Sequence, residues 1–427
     1  MGSKTSGSKV RYAVVGLGHI AQVAILPAFK MTRNSEIVAL ISGDPRKRKL
    51  LGKRYRSVPA FSYEDYEHVL EQVDAVYLAL PNHLHKEYAV RAADAGVHVL
   101  CEKPMAVTEQ ECEAMINAAE NNGVKLMVAY RLHFEKGNLE AIQTIKKRRL
   151  GKPRIFTSEF AQQVAANNVR VTEPVSRGGG PVYDMGVYCI NAARYLFGAE
   201  PTKVLALNAS NPEPRFKKVD EMMSAILHFP DERLGSFTCS FGAADISRYT
   251  VVGTKGVMTS DPAYEYAMDI EQEIVAGGKK SKRKFAKRDQ FAAQIEYFSD
   301  CIRENRTPEP SGLEGLADVR VVRALYESAR SGKAVALPPL PAKRSPVSSR
   351  RFTGLLMASP RPSTLNLPRA SRRKAAAYRH VYGKSMGCKY PGGSRNNGVG
   401  IFSDRRICNL PSAPTVKVMA VLSVAPN

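Results

Sequence analysis

The run Val10-Arg11-Tyr12-Ala13-Val14-Val15 ends directly on Gly16-Leu17-Gly18-His19-Ile20-Ala21, and a helical pattern follows to about Lys30. Nothing else in the chain narrows the fold as much. The apolar run suits one buried strand. Gly16 permits a tight turn, and Gly18 lets backbone approach a pyrophosphate. A helix opening there turns its N-terminus toward the anion. Strand, Gly-x-Gly turn and helix in this order predict a nucleotide-binding βα unit.

The pattern repeats. Apolar strands are expected at 36–41, 74–79, 97–101 and 124–129, with helical stretches between them. Such alternation predicts a parallel sheet covered on both faces. After about Gly151 the spacing changes. Strand-like stretches near 153–161, 203–209, 222–229, 232–241, 246–252 and 256–260 follow one another through short turns. They predict a mostly antiparallel sheet. Helices are expected at about 184–196, 289–305 and 313–330. The fold class is therefore α/β: an N-terminal Rossmann doubly wound parallel sheet over 10–130, then an α+β domain with an open, mostly antiparallel sheet over 131–340. The closing helix is expected to return to the first domain.

The net charge of +23 is uneven. Residues 341–427 hold 16 Lys and Arg against one acid, Asp404, while 1–340 hold 47 against 39. The tail also carries 9 Pro, 11 Ser and 7 Gly, a composition that buries too little apolar surface to offset ordering entropy. Disorder is expected there. Its few aromatics and diffuse charge make a solvated extension the expected reading rather than a nucleic-acid contact. Residues 1–9 are polar and read as a flexible start. They lack an apolar signal core, although Gly2 and Ser6 fit the loose myristoylation pattern. No run reaches the roughly 20 apolar residues of a membrane span. Seven cysteines, an odd number without a CxxC pair, predict reduced thiols, a cytoplasmic protein and no metal site.

Three further motifs carry chemistry. Ser42-Gly43-Asp44-Pro45-Arg46-Lys47-Arg48 follows the second strand, where an acid would select NAD. Ser42 comes first and basic residues follow, so NADP is expected, with NAD possible and Asp44 available as a helix N-cap. Glu102-Lys103-Pro104 follows the fourth strand and presents Lys103 at the mouth of the crevice. Gly178-Gly179-Gly180-Pro181-Val182-Tyr183-Asp184 leads to Tyr188 and Asn191, and Asp184 and Tyr188 are four apart, on one helix face. An ammonium beside a phenol favours phenolate, as a proton shuttle between alcohol and carbonyl requires.

With Leu80-Pro81-Asn82, His85, Cys101–Met105, Tyr130-Arg131 and the stretch Glu314–Arg320, these motifs resemble the glucose-fructose oxidoreductase / inositol dehydrogenase (Gfo/Idh/MocA) family over about 10–337. The resemblance is nearest to its glucose-fructose oxidoreductase branch. It implies that Lys103 and Tyr188 are the catalytic pair and Asp184 their substrate-side partner. It implies cofactor contacts at Gly16, Leu17, Gly18, His19, Ile20, Ser42, Gly43, Lys47, Tyr55, Pro81, Asn82, His85, Glu102, Lys103 and Arg131. Arg170 and Tyr266 join on a looser match. Tyrosine at 188, where many relatives have histidine, implies a pyranose sugar or dihydrodiol substrate and NADP. A homo-oligomer, dimer or tetramer, is also implied. Two departures stand out: only nine residues precede the first strand, where that branch has an arm retaining its cofactor, and His19 replaces a lysine. The expected activity is hydride transfer between the nicotinamide and C1 of an aldopyranose. The alternatives are a dihydrodiol or inositol substrate, or a non-catalytic NAD(P)-binding sensor.

Overall fold

The computed structural model describes residues 8–340. The expectations for the basic tail, and for all but the last two residues of the flexible start, lie outside them.

Strands β1 (Val10–Val15), β2 (Ser35–Ile41), β3 (Ala60–Phe61), β4 (Ala75–Leu78), β5 (His98–Glu102) and β6 (Leu126–Ala129) form one sheet in the order β3-β2-β1-β4-β5-β6. Every pairing in it is parallel. Alternate residues of β1 serve different cores, which is why the run is apolar throughout. Tyr12 and Val14 meet the π turn Ala21–Ile25 and helix α1 (Leu26–Phe29). Ala13 and Val15 face the layer of α3 (Tyr66–Leu70), α4 (His85–Asp94) and α5 (Glu109–Asn121). Between β2 and β3 runs α2 (Pro45–Arg54).

Beyond α6 (Lys136–Lys146), nine strands form the second sheet: β7 (Pro153–Ala161), β8 (Lys203–Ala209), β9 (Met222–Phe229), β10 (Arg233–Ser240), β11 (Ile246–Gly253), β12 (Gly256–Ser260), β13 (Ile270–Ala276), β14 (Lys279–Phe285) and β15 (Val335–Ala336). Their order is β14-β13-β12-β11-β7-β10-β9-β8-β15, antiparallel except for the parallel pair β7–β10. The short α7 (Val169–Thr172) and the buried α8 (Val187–Phe197) sit between β7 and β8. Leu205, Leu207, Ile226 and Leu234 are exposed on the sheet's outer face. The sheet is thus open and mostly antiparallel, as expected.

The sequence reading missed β13 and β14. Strand β14 reads Lys-Lys-Ser-Lys-Arg-Lys-Phe and lacks an apolar alternation. Cross-strand charge supports it: Lys280 and Lys282 pair with Glu273, and Lys284 with Asp269 and Glu271. Lysines along the outermost strand also discourage edge-to-edge pairing.

Two helices close the chain. α9 (Gln290–Arg303) returns to the first sheet, packing Phe291, Ile295 and Phe298 against the Tyr12 side. The Tyr12 hydroxyl shares a hydrogen bond of 2.7 Å with Ser299 Oγ. α10 (Gly312–Ser331) lies along α5 and reaches β6, β8 and α8, so it touches both sheets. Among the described residues no helix is long and apolar enough to cross a membrane, and all five cysteines are buried and unbridged.

Candidate active site

The candidate residues gather where β1, β2, β4, β5 and β6 end, the edge at which open parallel sheets bind ligands. Gly16 has φ +92°, and a Cβ on it would lie 2.5 Å from the Ala79 carbonyl oxygen. Glycine is required there by the fold itself. Gly18 differs: a Cβ would meet nothing within 4 Å, so the turn opens onto free space at the start of the helix over 19–29. An open cradle at a helix N-terminus fits a pyrophosphate. Gln22 Nε2 braces the turn by donating to the Leu17 carbonyl at 2.9 Å. The Leu17 side chain belongs to the core, and His19 is exposed.

At the end of β2, Asp44 is occupied as the N-cap of α2, accepting from the Arg46 and Lys47 amides at 2.9 and 3.3 Å. Its second oxygen lies 3.9 Å from the Lys47 ammonium. Ser42 is buried, and Arg48 donates to its carbonyl at 2.6 Å. Gly43 is exposed beside Tyr63. Ser42, Arg46 and Lys47 suit a 2′-phosphate, with Asp44 turned to the helix start.

The polar contacts of the crevice centre on Lys103, just beyond β5. Its ammonium donates to the Asp184 carbonyl at 2.7 Å and to Asp184 Oδ1 at 3.0 Å. It also lies 4.4 Å from the centre of the Tyr188 ring. Asp184 sits in a π turn, Val182–Gly186, that leads into α8, and Tyr188 is in the first turn of α8. The expected shared face survives this widened turn. Burial alone would raise the Asp184 pKa, but the charges of Lys103 and Arg170 outweigh it and hold the carboxyl at about 2. Phe160 and Tyr264 pack against the Tyr188 ring.

Segment 168–180 reaches across to the first sheet. Arg170 Nη1 donates to Asn82 Oδ1 at 3.0 Å and lies 3.8 Å from Asp184 Oδ1. Asn82 Nδ2 donates to the Gly178 carbonyl at 2.7 Å, and Pro81 opens the 3-10 turn that carries Asn82. Arg131 is fixed by Gln290 Oε1 at 2.7 Å and the Tyr264 carbonyl at 2.6 Å. Its guanidinium lies 5.1 Å from the Tyr188 ring centre and 5.2 Å from that of Tyr266. Arg131 thus forms a layer of the site wall between two tyrosines. Gln290, which helps to hold it, carried no local signal in the sequence.

Three of the expected contact residues are engaged within the protein itself. His85 is fully buried, its two ring nitrogens 3.0 and 2.9 Å from the Pro104 and Leu80 carbonyls. Burial pushes its pKa down to about 4, and the ring braces two turns instead of facing the crevice. Glu102 accepts from the Tyr77 hydroxyl and the Lys103 amide, so its carboxylate points into the protein. Tyr55 caps the far end of α2, about 15 Å along the helix from its start. There it lies against Lys30 and Arg54.

A family model described as "Oxidoreductase family, NAD-binding Rossmann fold" matches residues 10–130, and the GFO/IDH/MocA C-terminal domain matches 138–259. An uncharacterised oxidoreductase of Rhizobium meliloti is 31% identical over 334 residues, covering 76% of this chain and 98% of that protein. The D-xylose 1-dehydrogenase [NADP(+)] of Haloarcula marismortui is 29% identical, covering 77% and 93%. The crystal structure of aldose-aldose oxidoreductase from Caulobacter crescentus, complexed with glycerol, superimposes with a TM-score of 0.73 at 37% identity, covering 77% of this chain and all of that one. Matches to both family models, and to whole proteins over nearly their full length, place this chain in the Gfo/Idh/MocA family of oxidoreductases.

Proposed function

We propose that the protein is an NADP-dependent oxidoreductase acting at C1 of an aldopyranose. The observation that carries this reading is the meeting of Lys103, Asp184 and Tyr188 at the carboxyl end of β5. The xylose dehydrogenase and the aldose-aldose oxidoreductase support the substrate class. The Gly16–Gly18 turn and the backbone of the turn bearing Pro81 and Asn82 would hold the dinucleotide, and Ser42 with Lys47 favours NADP over NAD. When bound, NADP supplies the hydride acceptor or donor at its nicotinamide. Tyr188 takes the proton of the C1 hydroxyl during oxidation and returns it to the carbonyl oxygen during reduction. The Lys103 ammonium lies against its ring, 4.4 Å from the centre, and places a positive charge beside the shuttle. Asp184 holds Lys103 in place through its carbonyl and Oδ1. In the same reading residues 10–130 bind the dinucleotide, and 131–340 bind the sugar and support a homo-oligomer.

Substituting Lys103→Met tests the assignment. Turnover should fall about 10²–10⁴-fold, while NADPH binding, followed by fluorescence titration, stays within a few-fold of wild type. Normal turnover in the variant sinks the roles of Lys103 and Tyr188. A panel of aldoses, a dihydrodiol and an inositol, followed at the nicotinamide absorbance, tests the substrate class. Activity confined to the dihydrodiol or the inositol would overturn the aldopyranose.

A further inference from the structure

The stretch Glu314–Arg320 stands out in the sequence, yet the proton shuttle of Tyr188 and Lys103 makes no use of it. In the fold, Glu314 and Asp318 lie on α10 one turn apart, both fully buried. They meet Arg194 of α8, whose side chain is also fully buried. Arg194 Nη1 is 2.5 Å from Asp318 Oδ1, and Nη2 is 3.1 Å from Glu314 Oε2. Glu200, just after α8, adds a third carboxylate at 2.5 Å from Nε. The second Asp318 oxygen accepts from Asn191 Nδ2 at 2.8 Å. Asn191 Oδ1 then meets His133 Nε2 at 2.9 Å. His133 stacks on Tyr130 and touches the edge of Tyr195.

This network joins the two elements that carry the site wall. Asn191 is three residues beyond Tyr188 on α8. His133 is two residues beyond Arg131, in the 3-10 turn Arg131–Phe134. Apolar packing holds α8 in the core, since Val187, Cys189 and Ile190 are buried. Such packing is non-directional and leaves rotation and sliding of a helix weakly specified. Directional bonds from Asn191 and Arg194 to one fixed carboxylate remove that freedom. Three carboxylates on one buried guanidinium are a poor source of stability, since buried ion pairs often do no better than apolar residues of similar volume. Geometry is what such a cluster supplies.

We propose that Asp318, supported by Glu314, is a positioning residue of the active site. Through Arg194 and Asn191 it sets helix α8, and through Asn191 and His133 it sets the turn that carries Arg131. Tyr188 and Arg131 are thereby held face to face. The proposal rests on the reading that Tyr188 moves the proton.

Asp318→Asn and Asn191→Ala test it, with wild type as reference. Both variants should bind NADPH stoichiometrically, with affinity within a few-fold of wild type. On the preferred aldose, kcat per NADPH-binding site should fall about 10–100-fold, with KM within about twofold. A role limited to stability would lower the melting temperature and leave kcat per site intact, and that result in both variants overturns the proposal. If Asp318→Asn does not fold, Asn191→Ala decides, because it cuts the link to His133 and leaves the Arg194 pairs in place. If wild type turns over no sugar, the proposed function fails on its own account. Hydrogen exchange then decides the clamp. Faster exchange in Asn191→Ala confined to 130–134 and 187–197 supports it, and unchanged or uniformly faster exchange overturns it.

Discussion

Two clusters of buried charge cross this molecule, and they are built in opposite proportion. At the candidate active site one carboxylate, Asp184, faces two cations, Lys103 at 3.0 Å and Arg170 at 3.8 Å. Behind α8 one cation, Arg194, faces Glu200, Glu314 and Asp318. Burial pushes both aspartates toward the neutral form. At Asp184 the cations win and the carboxyl sits at about 2. At Asp318 burial wins over Arg194, with the Glu314 charge adding to it, and the carboxyl rises to about 6. The same residue type is a permanent anion in one cluster and close to titration in the other. The first cluster reaches the crevice, where Asp184 is 26% exposed. The second has no exposure at Arg194, Glu314 or Asp318. The wet cluster can serve chemistry, while the dry one can serve only shape.

Removing a cation should separate the two most widely. Arg194→Met strands three carboxylates and should cost about 3–5 kcal/mol of stability. Lys103→Met leaves Arg170 beside a partly solvated Asp184 and should cost less than half as much. Urea midpoints measure both, and equal losses would break the comparison. Adding Asp318→Asn and Glu314→Gln to Arg194→Met should recover part of the loss, because the stranded charges are gone.

Stability against pH should then differ in sign. A depressed pKa contributes stability that is complete above the unfolded value and lost as pH falls toward the folded one. The melting-temperature advantage of wild type over Asp184→Asn should therefore hold above about pH 4 and shrink between about 4 and 2. Asp318 is raised, so its ionisation opposes folding. Wild type should lose ground to Asp318→Asn as pH rises from about 4 to 6, then level off. Its charged and polar neighbours Arg194, Glu314, Glu200, Tyr130, His133 and Asn191 are the same in both measurements. Difference curves sloping the same way would refute the contrast. The smallest effect concerns Arg170. Arg170→Gln leaves Lys103 in place and should raise the acid midpoint of the Asp184 difference curve by less than about one pH unit. No change would mean that Lys103 alone holds the carboxylate.

Much of this molecule was legible in its sequence, for reasons that differ by element. β1 and the strands β7 to β12 followed from apolar periodicity, which reports burial directly. β14 did not, because lysine–carboxylate pairs replace burial there. The helix bearing Asp184 and Tyr188 was legible, and the π turn inside it was not. His85 and Tyr55 carry motif positions, but whether a side chain reaches a ligand depends on what else claims its atoms. Two backbone carbonyls claim the His85 ring, and the length of α2 carries Tyr55 away. Asn191 had one available signal, a lone amide in a buried helix whose only charged residue is Arg194, and that signal has no direction.

Local patterning settles the parallel sheet, the second mostly antiparallel one and the glycine at position 16, because strand periodicity and the sterics of a turn act over a few residues. Which charges meet is settled by packing at long range. Lys103 finds Asp184 across 81 positions, and Arg194 finds Asp318 across 124. Whether each aspartate stays ionised follows from how many cations packing brings beside it and how much water remains, which no local pattern of residues records.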